Sequence, residues 1–334
     1  PKNIFKNPLF IFSALLLLGV ILLYLLTLTK KKMLLSESLP QPSLPADSQE
    51  LSIRYTYMGE LPKLQASAAI YTISETPILN QEVAESYAAN WGFSTDPQVI
   101  AGRSGTIYLF TQGSESLTVL PNPFKLEYEN SQNSAENYLS ENELLERGAA
   151  FLKKRVTIES PYSLNKPYIE YVASDGFNIA QAQSFEEATF VRIHLSLLLD
   201  SLPIVDSEYL STSVTIDIYK DGSIKKANIL LPPQDVQSLG NSSLTNPKEA
   251  LAAINNGQGT ISLLHNPETA YTDLTPQSID SATFHSLELV YLYDQNILQF
   301  QPYYRFSGTA TTNEKDVIEV EVVITALPQE VFQK

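Results

Sequence analysis

No cysteine occurs anywhere in the 334 residues, which excludes disulfides, thiolate nucleophiles and cysteine-ligated zinc together. Histidine is almost as scarce, with only His194, His265 and His285. None stands four residues from another and no HExxH occurs, so the two-histidine zinc helix of a metalloprotease is missing. Serine chemistry is equally unannounced. There is no G-x-S-x-G elbow, and AGRSGTIY has two glycines around Ser104 without the lysine that a P-loop needs. Asp217 and Asp221-Gly222 lack the alternating ligands and closing glutamate of a calcium loop. Carboxylates are abundant enough to compose a glycosidase-like pair on paper, but spacing singles out none. The sequence therefore assigns no catalytic residue, no metal ligand and no cofactor.

Positive charge is also in short supply. The chain has 22 lysines and arginines against 37 acidic residues. Five of the basic residues precede Met33 and no acidic one does, which leaves 17 against 37 in the remainder, a formal charge of −20. Nucleic-acid binding depends on neutralising phosphates with Lys and Arg, so such an acidic surface argues for no nucleic-acid partner. It argues equally against flat docking on anionic lipid.

What the chain does have begins with KNPLFIFSALLLLGVILLYLLTLTKKK. No charge occurs from Asn7 to Thr29. Coiled at about 1.5 Å per residue, that run reaches about 34 Å, enough for a hydrocarbon core of about 30 Å. It exceeds the apolar region of about 7–15 residues in a cleaved signal peptide, and it ends in Lys30, Lys31 and Lys32 rather than small residues. Residues 1–32 are expected to form a signal anchor that crosses the bilayer through residues 8–29. Basic residues flank both ends, so charge alone barely decides orientation. The long acidic tail, rich in Tyr, Ser, Thr and Asn, points to a carboxyl-terminal domain held outside the cytoplasm, in a single-pass cell-membrane protein.

Residues 33–50, MLLSESLPQPSLPADSQE, place Pro40, Pro42 and Pro45 among serines and read as a semi-extended spacer. Three segments of a common rhythm follow, each a short helix and a group of strands, over residues 51–133, 134–240 and 241–334. The first helix, about Gln81 to Trp91, is capped by Asn80 and ended by Gly92, with Val83, Tyr87 and Trp91 on one stripe. The second opens with a Ser140–Glu143 capping box, lines one face with Leu144, Leu145, Ala149 and Leu152, and closes on Lys153, Lys154 and Arg155, where cations suit the helix dipole. The third, in TNPKEALAAINNG, has Asn246 as cap, Pro247 in the first turn and Gly257 as stop. Asp221-Gly222 between two alternating runs predicts a hairpin. The stretch from Leu287 onward reads as a three-stranded meander, with Pro302 at an edge or a bulge because proline removes a ladder donor. Strand alternation puts His194 on a solvent face. The expected fold class is α+β: one N-terminal transmembrane helix, then short helices packed on antiparallel sheets.

NPKEALAAINNG and the VTIDIYKDGSIKKANILL hairpin resemble the unit of PepSY-type domains, and LELVYLYDQNILQFQPYYRFSGTA resembles the closing sheet of the YycH/YycI regulators. The resemblance implies a membrane-anchored extracytoplasmic protein that modulates a partner without catalysis of its own. On this reading the chain is a non-enzymatic binding or regulatory domain acting on an envelope or membrane protein. An exposed edge of the meander would accept a partner strand through Gln299, Gln301, Tyr303, Tyr304, Arg305 and Phe306. The alternative is an extracytoplasmic carboxylate-dependent hydrolase acting on cell-wall glycan.

Overall fold

The computed structural model describes residues 38–41, 53–74, 78–102, 105–121, 124–132, 138–174, 179–206, 213–266, 279–294 and 296–332. The chain passes through β1 (Arg54–Tyr57), β2 (Ser67–Ile73), helix α1 (Gln81–Trp91), β3 (Gln98–Gly102), β4 (Gly105–Gln112), β5 (Glu115–Leu120) and β6 (Lys125–Asn130). Helix α2 (Glu141–Arg155) leads to β7 (Tyr162–Leu164), β8 (Tyr168–Ser174), β9 (Ile179–Gln181), β10 (Phe190–Leu195), β11 (Leu197–Leu199) and β12 (Leu202–Asp206). Then come β13 (Val214–Tyr219), β14 (Ile224–Leu230), β15 (Val236–Ser243) and helix α3 (Pro247–Asn255). The last strands are β16 (Thr260–His265), β17 (Ile279–Asp294), β18 (Gln299–Thr312) and β19 (Val317–Thr325).

Local chemistry explains the helices. Asn80 Oδ1 accepts from the Val83 amide at 2.9 Å, and Gly92 closes α1 in the left-handed region at φ 94°, where only glycine sits without strain. The stripe is rotated by one residue from the expected one: Ala84, Ala88 and Trp91 are buried, and Val83 and Tyr87 pack beside them. The Ser140–Glu143 capping box of α2 is formed. Its buried face is Leu144, Gly148, Phe151 and Leu152, with Ala149 turned to solvent.

Strands, not helices, make up most of the protein. Of the described residues 52 % are in strands and 15 % in helices. This corrects the expected α+β class of helix-and-sheet units behind a transmembrane helix: the fold is mostly β. The physical reason is that the helices bring few buried residues, α3 only Ala250 and Ile254, whereas long-range strand pairing builds two large sheets. The apolar run expected to cross the bilayer lies outside the described residues. Among the described residues no helix is long and apolar enough to cross a membrane.

One sheet has nine strands in the order β3-β4-β5-β6-β14-β13-β10-β8-β9, all pairs antiparallel. It consists of a meander, β3 to β6, joined through β6 and β14 to a second antiparallel group in which β10 lies between β13 and β8. Helices α1 and α2 pack into the core on one of its faces. The other sheet has ten strands along β15-β2-β18-β17-β12-β11-β7, with β1 parallel to β17 and β19 placed between β18 and β16. The chain passes between the two sheets several times, most tightly where only Ser196 separates β10, in the first sheet, from β11, in the second. Asn165 clamps that crossing, its amide donating to the Ser196 carbonyl at 3.0 Å and its Oδ1 accepting from the Ser196 amide at 2.7 Å.

Two local expectations are corrected here. Pro302 is neither at an edge nor at a bulge but inside β18, opposite Tyr291. On its other side the neighbour of β18 changes from β2, at Gln299 and Phe300, to β19, from Tyr303 onward, so the missing donor falls where no ladder bond is required. The second concerns the spacer. Within it Leu39 is buried against Ile70 and Leu327. Its amide donates to the Val331 carbonyl at 2.9 Å, and Gln301 Nε2 donates to the Pro40 carbonyl at 3.3 Å. Residues 38–41 are therefore docked on the body rather than free.

The β17–β18 pairing tolerates no side chain at Gly308. A Cβ there would meet the Thr283 carbonyl oxygen at 2.1 Å and Phe284 Cα at 2.6 Å, next to a register shift between Phe284 and Ser286. Backbone cannot yield as a flexible side chain does. Gly308→Ala is expected to destabilise the protein by about 2 kcal/mol or more, read as a lowered urea midpoint. An unchanged midpoint would show that the two strands separate there at no cost.

Candidate functional site

With α1 and α2 on one face of the nine-stranded sheet, the side chains on the other face line a cavity of about 810 Å3. Alternation along each strand sends Ile193, Ile216, Ala227 and Tyr128 into the core and their neighbours outward. Register then aligns those neighbours. Glu170 on β8 stands opposite Arg192 on β10, Arg192 opposite Asp217 on β13, Asp217 opposite Lys226 on β14, and Lys226 opposite Glu129 on β6. The result is a row of five charges across five strands, alternating in sign. Next to it lies a second row: Tyr168, His194, Thr215 and Asn228, also directly opposed.

The charged row is joined by contact. Arg192 Nε and Nη2 donate to Asp217 Oδ1 and Oδ2 at 2.7 and 3.0 Å, a two-point geometry that fixes both planes. Asp217 is buried, its side chain 6 % exposed. The Asp217 carboxylate in turn holds the Arg192 guanidinium above its ordinary range. Lys226 Nζ reaches Glu129 Oε1 at 3.0 Å. His194 Nε2 lies 2.8 Å from Glu170 Oε2, and that hydrogen bond is the main cause that holds the Glu170 carboxyl below its usual range. The His194 ring stacks on Tyr168 with centroids 4.5 Å apart and planes 3° apart. Burial pushes the Tyr168 phenol up, and the nearby Glu170 carboxylate pushes it further. Asn228 Nδ2 donates to Thr215 Oγ1 at 3.3 Å.

His194 was expected on a solvent face. It is on the face turned from the core, but its side chain is only 13 % exposed, because the Tyr168 ring covers it. The six residues of the expected edge are distributed differently. β18 is an interior strand, paired with β17 on one side and with β2 and β19 on the other, so it offers no free edge, and strand addition there is corrected. Gln299, Gln301, Tyr303, Tyr304 and Phe306 are buried. Gln301 Nε2 donates to Gln299 Oε1 at 2.8 Å, and Tyr304 OH donates to the Thr245 carbonyl at 2.7 Å. The Phe306 ring lies 5.2 Å from that of Phe284, tilted by 43°. Arg305 alone approaches the site. It pairs with Glu288 at 2.5 Å, and the charges of Arg305, Glu321 and Glu288 all act on Tyr168.

Sequence reasoning missed Glu170, Arg192, Asp217, Lys226 and Glu129 as a group. The available signal was the alternation of each strand, which fixes a face but not which strands are neighbours. Among the described residues no group of three or more His, Asp or Glu side chains could hold a metal ion. Comparison with known proteins gives no match: no family model, curated protein or solved structure is similar to the chain.

A general acid needs a carboxyl kept protonated near neutral pH, whereas Glu170 is held as the anion and Asp217 is tied to Arg192.

Asp217→Asn would leave Arg192 partly buried without its two-point partner, and is expected to cost about 3 kcal/mol. Lys226→Met, at the exposed end of the row, is expected to change stability by less than about 1 kcal/mol. Urea unfolding of both variants measures the difference, and equal effects would refute a row anchored at Arg192–Asp217. The pH dependence has a definite sign. Because the folded-state value of Glu170 is lowered, its stabilisation is complete above its ordinary value of about 4.5 and is lost as pH falls through the lowered one. Glu170→Gln should therefore lose less stability than the parent on acidification below that value.

Proposed function

We propose that the chain is a non-catalytic, membrane-tethered binding or regulatory domain that acts outside the cytoplasm on an envelope or membrane protein. The observation that carries this reading is the alternating row on the open face of the nine-stranded sheet. Its three acidic and two basic side chains alternate across a concave, preformed surface, which favours a polar partner of matching pattern and disfavours others. The docked segment supports the tether. Leu39 follows Lys32 by seven residues, a reach of at most about 25 Å, so a membrane-spanning run at residues 8–29 would keep this surface near the bilayer and its proteins.

A carboxylate-dependent hydrolase acting on cell-wall glycan needs one protonated and one ionised carboxyl flanking the scissile bond. The anionic Glu170 and the Arg192-bound Asp217 supply no such pair, and this weighs against that alternative.

Tyr168 is 53 % exposed at the rim of the face and is the position for a photo-crosslinking amino acid in the full chain in intact cells. Ser48→Cys in the same chain, treated with a membrane-impermeant maleimide, reports the side of the membrane. The expected outcome is a discrete adduct with one envelope or membrane protein, and labelling before lysis. Adducts no different from those obtained at Ile78, which is exposed ahead of α1, would overturn the recognition surface. Protection of the thiol until lysis would overturn the extracytoplasmic placement.

A further inference from the structure

A second cavity, of about 680 Å3, lies on the helix-bearing side of the nine-stranded sheet, between α1, the residues after α2 and the β14–β15 connection. Its volume falls within the range of about 300–1,000 Å3 typical of small-molecule sites. Arg155, the last residue of α2, is part of its wall. The guanidinium carbon lies 4.3 Å from the centroid of Phe151 and 5.5 Å from that of Trp91, so two rings fix the plane of the group. Lys153 and Lys154, its basic neighbours, remain exposed.

Arg155 is only partly buried, and its hydrogen bonding is incomplete. Its Nε is buried with no hydrogen-bond partner, and so is the neighbouring Trp91 Nε1. None of the ion pairs among the described residues includes Arg155, although Glu82 and Glu159 line the same cavity. An unsatisfied buried donor is costly, and more so on a charged group. A planar fork is matched by a carboxylate or a phosphate. Glu82 and Glu159 decide between them, because two further negative charges in the wall repel a multiply charged phosphate and attract an ammonium group. Val83, Val156 and Pro232 supply the apolar surface between.

We propose that this cavity binds a small zwitterion, a free amino acid or a short peptide, with its carboxylate on Arg155 and its ammonium group facing Glu82 and Glu159. The site shares no lining residue with the open face and does not rest on the function proposed for that face.

The protein carries its own probe. Trp91 is the only tryptophan, and it lies under Arg155. The test is a titration of the full chain in detergent, followed by Trp91 emission, with alanyl-alanine, acetyl-alanyl-alanine, alanyl-alanine amide and inorganic phosphate. Alanyl-alanine should give a saturable change, and the amide, which has no carboxylate, should bind at least about tenfold more weakly. Arg155→Lys keeps the helix-end charge but loses the fork, and should weaken alanyl-alanine by a similar factor. Glu82→Gln combined with Glu159→Gln leaves the ring stack untouched; it should weaken alanyl-alanine and leave the acetylated dipeptide unchanged. No saturable change up to about 10 mM, an equal response to the amide, or tighter binding of phosphate than of alanyl-alanine would each overturn the proposal.

Discussion

The pairing of β10 with β13 is the constraint on which the rest of the molecule depends. Its register puts Arg192 opposite Asp217 and, one residue on, Ile193 opposite Ile216. A slip of one residue would exchange the two faces of the strand, burying charge under α2 and exposing isoleucine to the cavity. The helix side enforces the same register, since Gly148 lets α2 approach until a Cβ would lie 2.7 Å from Ile193 Cδ1. Core packing and the surface ion pair thus select one alignment. Because β10 runs on through Ser196 into β11, that alignment also sets where β11 enters the ten-stranded sheet.

Much of the local structure was legible in the sequence, for reasons that are themselves local. Asn80 with Gly92, Ser140 with Glu143, and Asn246 with Pro247 each satisfy helix-end groups within a few residues, so their meaning does not depend on the rest of the fold. The same holds for Asp221-Gly222, where Gly222 takes φ 84° between β13 and β14. Sheet membership is another matter. Nothing near Lys226 says that Glu129 lies opposite, almost a hundred residues earlier. The charged row was hidden for that reason, although each of its residues sits in a readable strand. QFQPYYRF misled because both faces of β18 are covered: Tyr303 and Tyr304 are adjacent and both buried, so alternation disappears and the glutamines and proline suggest an edge. Leu39 misled because a single apolar residue among prolines and serines carries no periodicity.

The two cavities differ in kind because they lie on opposite faces of one sheet. On the open face the charged row is joined by contact, Arg192 with Asp217, Lys226 with Glu129 and Glu170 with His194. The helix side is different: one guanidinium packed over two rings shares its cavity with the carboxylates of Glu82 and Glu159. On the two proposals above, one sheet would carry a protein-binding surface on one side and a small-molecule cavity on the other, over one shared core. Phe151 and Ile193 belong to that core, so a change in packing around Arg155 has a contiguous path of side chains to the strand that carries His194.

The joint at Leu39 has a mechanical consequence. It is held by one buried leucine, one backbone hydrogen bond to Val331 and a longer contact from Gln301 to Pro40, together worth about 2–4 kcal/mol. By contrast the β17–β18 ladder runs in register from Ile279–Thr312 to Asp294–Gln299. Tension applied from the amino-terminal side reaches Leu39 before it reaches any sheet. A joint of that strength would give way under such a load before either sheet did, freeing residues 38–41 while both ladders stay paired.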